Sequence, residues 1–243
     1  MIDASSGWPG GGLGGWREVD RVSPVTASGK TSAKHAPKPA TWAYAEDFVA
    51  EPEAAAAARE SAAPLGITSV GRGSAATLTF LARAVQARAV VEIGTGAGVS
   101  GLALFAGMRP DGILTSVDTE PAHQQAARKA FLSVGIPTQR FRLISGDALH
   151  VLPRLSDGAY DLVFVDGDPM EYPEYVEQGI RLLRHGGLIA LDNALLGDRI
   201  ADPGQSDEET ESVRAALELV RDHDDLVTTL LPVGDGLLVA AKR

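Results

Sequence analysis

Residues 90–98 read VVEIGTGAG, an apolar strand pattern that runs directly into Gly94, Gly96 and Gly98. Glycines that end a strand and open a helix let backbone N–H groups approach a ligand, because no side chain stands in the way. Dinucleotide-binding loops usually read G-x-G-x-x-G, whereas these glycines are spaced G-x-G-x-G. The stretch therefore predicts a ligand loop after a buried strand. The spacing alone leaves open whether the ligand is a dinucleotide, another adenosine-bearing cofactor or nothing.

Six further apolar runs extend this pattern towards the C-terminus. Each of the first five runs in the chain is followed by a segment of helical period, which is typical of a parallel sheet wrapped by helices. The last two runs are joined through Gly234, Asp235 and Gly236, residues suited to a tight reversal. We predict an α/β, Rossmann-like fold: a seven-stranded, mostly parallel sheet with helices on both faces and an antiparallel C-terminal hairpin. The six further runs are ILTSVD (113–118), RFRLISG (140–146), DLVFVD (161–166), GGLIALDN (186–193), LVTTLLPV (226–233) and GLLVAAKR (236–243).

The N-terminal part of the chain differs in composition from the rest. Residues 1–41 are rich first in glycine and then in Ser, Thr, Lys and Pro, without apolar periodicity, so we predict a disordered tail. Residues 42–243 are predicted to form the folded domain. Alanine-rich residues 42–66 predict one or two helices before the sheet, with Thr41 as a candidate N-cap and Pro52 at a start or a kink.

Composition narrows the classes of partner. The 243-residue chain is 44% hydrophobic, which together with its length favours one domain. Its formal net charge of −10 would repel a polyphosphate backbone, so we expect no nucleic-acid partner. We expect no membrane partner, because no apolar run is long enough to cross a bilayer and no secretory signal is evident. The absence of cysteine excludes a disulfide framework and a thiolate metal site, and it suits a cytoplasmic protein.

Acidic residues follow two of the predicted strands. Asp118 closes the second strand, and Asp147 and Ala148 follow the third. Ligands of open α/β sheets gather at the carboxyl ends of the strands, so these residues are placed where a ribose and an adenine would bind. Asp118 would serve the ribose of either a nicotinamide cofactor or another adenosine cofactor. Taken singly, each aspartate could instead be the N-cap of the helix that follows.

Oxygen-bearing side chains also end the next two predicted strands. Asp166 follows one of them, and Asp192 with Asn193 follows the other. Carboxylate and amide oxygens from neighbouring strand ends suit Mg²⁺ or a similar divalent cation, with coordination positions left for water and substrate. The alternative for an Asp-Asn pair after a strand is a loop cap or a turn.

From about Ser69 to the C-terminus, the chain resembles the class I S-adenosylmethionine-dependent methyltransferases. The resemblance is to the cation-dependent O-methyltransferases, which include catechol and caffeoyl-coenzyme A O-methyltransferases. It rests on VVEIGTGAGVSGLALF, LTSVDTEP, LISGDALHVLPRL, DLVFVDGDPMEYPEY, GGLIALDNALL and LLPVGDGLLVAAKR. It implies S-adenosylmethionine as cofactor, a divalent cation, a small hydroxylated acceptor and a homodimer with residues 42–66 as a candidate interface.

The resemblance also implies three groups of site residues. The loop around the methionine part of the cofactor would be formed by Glu92, Gly94, Thr95 and Gly96, with Ser100 near the cofactor's carboxylate, and Val70 would make a backbone contact just before the fold proper. The adenosine would be contacted by Asp118 at the ribose and by Asp147 and Ala148 at the adenine. The metal would be held by Asp166, Asp192 and Asn193.

One position departs from the family pattern. A lysine commonly stands three residues after the first metal-site aspartate, where it can take the substrate proton, but this chain has Pro169. Asp168 could act as the base instead, or the metal held by Asp166 could ionise the acceptor alone. We therefore predict a metal-assisted, S-adenosylmethionine-dependent O-methyltransferase acting on a catechol-like acceptor. A non-catalytic cofactor-binding protein is the alternative from another class. A nicotinamide-dependent oxidoreductase is less favoured, because no Tyr-Lys or His-Asp catalytic set follows the loop.

Overall fold

The computed structural model describes residues 38–243 of the chain. Seven strands in this part form one sheet, and they are β1 (Ala89–Ile93), β2 (Ile113–Asp118), β3 (Phe141–Ser145), β4 (Tyr160–Val165), β5 (Leu183–Leu191), β6 (Leu226–Leu231) and β7 (Leu237–Lys242). Their order in the sheet is β3-β2-β1-β4-β5-β7-β6. Strands β1 to β5 pair in parallel, whereas β7 pairs antiparallel with both β5 and β6. The predicted sheet and its C-terminal hairpin are confirmed.

Helices cover both faces of this sheet, as predicted. The strands of the sheet centre alternate between two hydrophobic clusters: Leu162 and Phe164 of β4 belong to one, and Val163 and Val165 belong to the other. The first cluster includes side chains of α2 to α5, and the second includes side chains of α6 to α8. None of the helices in the described part is long and apolar enough to cross a membrane. The helices are α1 (Pro39–Glu46), α2 (Glu53–Ala62), α3 (Arg72–Ala84), α4 (Val99–Gly107), α5 (Pro121–Ser133), α6 (Ala148–Val151), α7 (Tyr172–Leu182) and α8 (Glu208–Arg221).

A proline marks the start of each of the two N-terminal helices. Helix α1 starts at Pro39, before the predicted start of the folded part, so Thr41 lies inside the helix rather than at its N-cap. Proline suits the first position of a helix, because its ring fixes φ near the helical value and the missing N–H would have no partner there. Pro52 is the N-cap of α2, which confirms the predicted break. The rest of the predicted tail, residues 1–37, lies outside the described residues.

The last residue of α1 ties this helix to the domain. Glu46 Oε1 accepts a hydrogen bond from the Gly73 N–H at 2.8 Å in the first turn of α3. Glu46 Oε2 accepts from the Gly234 N–H at 3.0 Å in the turn before β7. A Cβ on Gly73 would lie 2.4 Å from Glu46 Oε2, so glycine at this position leaves room for the carboxylate at the helix N-terminus. One side chain thus joins α1, α3 and the C-terminal hairpin.

Candidate active site

A cavity of about 440 Å³ opens at the carboxyl ends of β1 to β4. Because β3, β2, β1 and β4 are parallel neighbours, the residues that follow them meet at one edge of the sheet. Three predicted site residues, Glu92, Asp192 and Asn193, are not among those that line this cavity. The predicted residues that do line it are Val70, Gly94, Thr95, Gly96, Ser100, Asp118, Asp147, Ala148, Asp166 and Asp168.

The loop after β1 requires glycine for both conformation and space. Gly94 has a φ of +91°, and a Cβ there would lie 2.0 Å from the backbone carbonyl oxygen of Asp166. Gly98 also has a φ of +91°, and a Cβ there would lie 2.9 Å from the Cα of Ala127. Residues with a side chain rarely adopt such φ values. The two glycines therefore let the loop pack against the end of β4 on one side and against α5 on the other.

Asp118, at the end of β2, both lines the cavity and holds the glycine loop. Its Oδ2 accepts hydrogen bonds from the backbone N–H groups of Thr95 and Gly96, both at 3.0 Å. Its Oδ1 accepts from the backbone N–H of Glu120 at 2.9 Å, and Nδ1 of His123 lies 3.2 Å away. Asp118 is not the N-cap of α5, because Glu120 occupies that position. A ligand hydroxyl at this carboxylate would share it with the loop.

Asp147 fits both interpretations that the sequence left open. It is the N-cap of α6, where its Oδ1 accepts from the Leu149 N–H at 2.7 Å. It also lines the cavity together with Ala148. Capping restricts the aspartate to one orientation, so a cap and a ligand contact are compatible functions of this side chain.

Glu92 lies behind the cavity and is fully buried. Val90 of β1 packs into the cluster that contains α4, and Glu92, two residues further along the strand, faces the same side. Glu92 accepts hydrogen bonds from Ser100 Oγ at 2.7 Å and from Ser116 Oγ at 2.6 Å, and Ser116 Oγ lies 2.7 Å from Thr95 Oγ1. Burial raises the pKa of Glu92 to about 7 against the lowering effect of the two serines. Strand alternation turns this side chain away from the cavity. The cofactor contact that the resemblance implies for Glu92 stays a prediction.

Asp166 and Asp192 lie at neighbouring strand ends, because Val165 of β4 pairs in register with Leu191 of β5. Asp192 is 3% exposed, and its Oδ1 has no hydrogen-bond partner. Burial raises the pKa of Asp192 to about 6. Burial and then the charge of Asp192 raise the pKa of Asp166 well above its usual range. The charge of one carboxylate therefore disfavours the charge of the other.

The predicted metal ligands offer suitable donor atoms, although they do not include three acidic or histidine side chains. In residues 38–243, no group of three or more His, Cys, Asp or Glu side chains is arranged to hold a metal ion. Only two members of the predicted set are of these types, and the third donor would be the amide oxygen of Asn193, whose φ is +54°. Asp166, Asp192 and Asn193 supply the oxygen donors that a divalent cation prefers, and one of those oxygens is buried without a partner. The residues present therefore fit a divalent cation.

The candidate base lies at the start of a short turn. Residues Pro169–Glu171 form a 3-10 turn, and Asp168 is its N-cap, accepting from the Met170 N–H at 3.0 Å. Asp168 is exposed and lines the cavity. Proline suits the first position of such a turn, so Pro169 fits the local backbone. The only ionisable side chain between Asp166 and Glu171 is that of Asp168.

Three ionisable residues that line the cavity, His123, Glu171 and Tyr175, were not predicted as site residues from the sequence. His123 lines the cavity beside Asp118. Tyr175 Oη donates to the Glu171 carboxylate, and both residues line the cavity. A pair four residues apart at the start of a helix is common on protein surfaces, so this spacing does not distinguish a site from a solvated helix face.

Comparison with known proteins places the cavity within a region of strong similarity. Residues 44–243 match a protein family described as O-methyltransferase, and this match spans every residue that lines the cavity. A relative from Mycobacterium sp. (strain JLS), named "Putative O-methyltransferase", is 51% identical over 200 residues, which cover 82% of this chain and 91% of the relative. A solved structure from Corynebacterium glutamicum is 33% identical with a TM-score of 0.76, covering 82% of this chain and 94% of that one. The O-methyltransferase TomG from Streptomyces achromogenes, solved in complex with S-adenosylmethionine, is 27% identical with a TM-score of 0.75, covering 85% of this chain and 99% of TomG.

Proposed function

This chain belongs to the O-methyltransferase family, and from that premise we propose that it methylates a hydroxyl group of a small, catechol-like acceptor with the help of a divalent cation. It is an S-adenosylmethionine-dependent enzyme, and S-adenosylmethionine supplies the methyl group. The relatives give no support to the nicotinamide alternative. The observation that carries the metal part of the proposal is the buried Asp192 Oδ1 without a partner, beside the carboxylate of Asp166.

In this proposal the cavity at the ends of β1 to β4 holds the cofactor. Asp118 accepts hydrogen bonds from the ribose hydroxyls, and Asp147 and Ala148 lie beside the adenine. The methionine part lies along the glycine loop at Thr95 and Ser100. The cavity has a volume of about 440 Å³, which is in the range of sites that enclose most of a small ligand. The glycine loop after β1 exposes backbone groups to this cavity.

The cation would be held by Asp166, Asp192 and Asn193. It would relieve the repulsion between the two carboxylates and give the buried Oδ1 of Asp192 a partner. When bound there, a divalent cation would lower the pKa of an acceptor hydroxyl and orient its vicinal oxygen.

Asp168 is the residue of this chain that we propose as proton acceptor. It follows Asp166 by two residues, lines the cavity, and uses Oδ1 for the cap hydrogen bond with Met170. Its Oδ2 is then left to accept the proton of the acceptor hydroxyl. A short carboxylate reaches less far than the lysine of the family, so the acceptor must lie close to the start of the 3-10 turn.

Methyl transfer to paired acceptors tests this function. With labelled S-adenosylmethionine, catechol should be methylated, whereas guaiacol, which lacks the second free hydroxyl, should react at least about tenfold more slowly because it cannot bind the cation through two ionisable oxygens. A chelator should stop the reaction and Mg²⁺ should restore it. Calorimetry in the same chelator should still show S-adenosylhomocysteine binding. Equal rates on the two acceptors, or turnover that ignores the chelator, would contradict the metal part of the proposal.

We further propose that the enzyme is a homodimer that associates through an apolar groove formed by α2, α3 and α4. The groove has a volume of about 710 Å³, and its lining includes Val49 and Phe80, which are 54% and 69% exposed. Exposed apolar patches of this kind mark protein interfaces. Phe80→Asp should convert a dimer into a monomer in light scattering, whereas Val227→Asp, at a 58% exposed position on β6, should not. A parent protein that is monomeric throughout the concentration range would disprove the dimer.

A cytoplasmic location completes the proposal. The chain contains no cysteine, which fits a reducing compartment. Fractionation of the host cells, with the protein followed by antibody, would test this location, and recovery in the secreted fraction would contradict it.

A further inference from the structure

Three hydroxyl groups and one carboxylate form an unbranched chain of hydrogen bonds behind the glycine loop. Ser100 Oγ donates to Glu92 Oε1 at 2.7 Å, and Ser116 Oγ donates to Glu92 Oε2 at 2.6 Å. Ser116 Oγ also lies 2.7 Å from Thr95 Oγ1. The chain thus has three contacts, and its two ends are Ser100 and Thr95, both of which line the cavity. Each contact uses one proton, so the number of protons decides which way the hydroxyls point.

With Glu92 ionised, the chain holds as many protons as contacts. Ser100 and Ser116 donate to the carboxylate, so the hydroxyl of Thr95 must donate to Ser116. The backbone N–H groups of Thr95 and Gly96 already donate hydrogen bonds to Asp118. In this state Thr95 and Ser100 offer the cavity lone pairs and no hydroxyl proton. Such a site suits an ammonium group and leaves a carboxylate without side-chain donors.

With Glu92 protonated, the chain holds one proton more than it has contacts. An extra proton inside the chain would have no acceptor, and a buried donor without a partner is costly. The hydrogen bonds therefore rearrange so that one end of the chain, the hydroxyl of Ser100 or of Thr95, has a proton that no contact within the chain uses. That hydroxyl then becomes a donor to the cavity.

We propose that Glu92 is a positioning residue that takes up a proton when the carboxylate of the cofactor binds, so that Ser100 or Thr95 donates to that carboxylate. This inference rests on the proposed placement of the methionine part of S-adenosylmethionine along the glycine loop. Glu92 itself does not line the cavity and acts only through the two hydroxyls.

The electrostatic surroundings of Glu92 favour proton uptake near neutral pH. Burial and, to a smaller extent, the charge of Asp118 at the end of β2 raise its pKa to about 7, against the lowering effect of the two serines. Asp166 at the end of β4 also interacts with its charge, and His123 stands on the far side of Asp118. In the proposed placement the carboxylate of the bound cofactor, rather than its ammonium group, meets Ser100 or Thr95, so the pKa of Glu92 in the complex is higher than in the free protein. Cofactor affinity should therefore fall as pH rises above about 7, by at most about tenfold per pH unit.

Calorimetry of S-adenosylhomocysteine in buffers of different ionisation enthalpy measures this uptake directly. The slope of the observed binding enthalpy against the buffer's ionisation enthalpy gives the number of protons taken up. It should be about half a proton at about pH 7 and should approach one proton at about pH 8. The decarboxylated analogue, S-adenosyl-3-thiopropylamine, should show no uptake, because it lacks the carboxylate. Asp166→Asn should retain most of the uptake, since Asp166 lies outside the hydrogen-bonded chain even though its pKa is also raised.

Glu92→Gln is the decisive variant. Its amide can donate to one serine and accept from the other, as a neutral acid does, so proton uptake should disappear and affinity should no longer depend on pH. Uptake that persists in Glu92→Gln, or a parent protein without uptake, would overturn the inference. If the variant does not fold, difference infrared spectra of the parent should show a neutral carboxyl band appear on binding, and its absence would overturn the inference equally. Binding without proton uptake leaves the proposed function intact, whereas no binding at all contradicts the proposed function itself.

Discussion

Gly94→Ala should lower the free energy of unfolding by at least about 3 kcal/mol and abolish S-adenosylhomocysteine binding. The new Cβ would lie 2.0 Å from the carbonyl oxygen of Asp166 and 2.7 Å from its carbonyl carbon. Both atoms belong to the backbone, so no side chain can move aside. The φ of +91° adds strain for any residue with a side chain. Relief requires either the glycine loop or the end of β4 to move, and each of these segments carries part of the site.

Gly158→Ala provides a matched control for this effect. Gly158 also has a positive φ, +61°, but a Cβ there would meet nothing within 4 Å. Its substitution should therefore cost only the conformational strain, about 1 kcal/mol, and leave cofactor binding unchanged. Urea unfolding curves and calorimetry on both variants make the comparison. Equal unfolding midpoints for Gly94→Ala and Gly158→Ala would show that the glycine loop does not pack against β4 as tightly as the structure indicates.

The fold could be predicted because its strands are short, apolar and separated by strong turn residues. The run DLVFVD is buried on both faces, as a central parallel strand must be, and Gly234 to Gly236 encode the reversal between β6 and β7. The start of α1 was predicted less well. Thr41 is a good capping residue, but Pro39 suits the first helical position even better, and local propensity alone does not rank the two.

The site could be predicted only as far as strand ends determine position. Asp118, Asp147 and Asp166 lie at the carboxyl ends of three parallel strands of one sheet, so topology alone brings them to one edge. The role of Glu92 could not be derived in the same way, because it depends on Ser116 of another strand and on the exact register between them. The burial of Asp192 is likewise a property of packing, and no local sequence pattern indicates that Oδ1 lacks a partner.

Asp192→Asn should reduce methyl transfer by more than about a hundredfold and at the same time stabilise the metal-free protein. The loss of rate follows because a metal ion contributes several kcal/mol to stabilising the charge of an ionised acceptor, and the variant lacks one of its charged ligands. The gain in stability follows because Asp192 is 3% exposed and faces the charge of Asp166. A carboxylate in that position destabilises the fold when it is ionised, and an amide of the same shape does not. S-adenosylhomocysteine binding should persist, since Asp192 does not line the cofactor cavity.

The pH dependence of the higher stability of metal-free Asp192→Asn distinguishes a charge effect from a general packing effect. Burial raises the folded-state pKa of Asp192 from 3.8 to about 6, so its ionisation penalty is absent below about pH 4, grows as pH rises to about 6, and is fully present above that. In chelator, Asp192→Asn should therefore match the parent in stability at low pH and exceed it by on the order of 1–3 kcal/mol at neutral pH. Asp224→Asn, which removes an exposed carboxylate, should follow the parent at every pH. Addition of Mg²⁺ should stabilise the parent more than Asp192→Asn, because only the parent offers both carboxylates to the cation. A variant that is less stable than the parent at neutral pH in chelator, or that keeps its activity, would show that Asp192 is not a metal ligand.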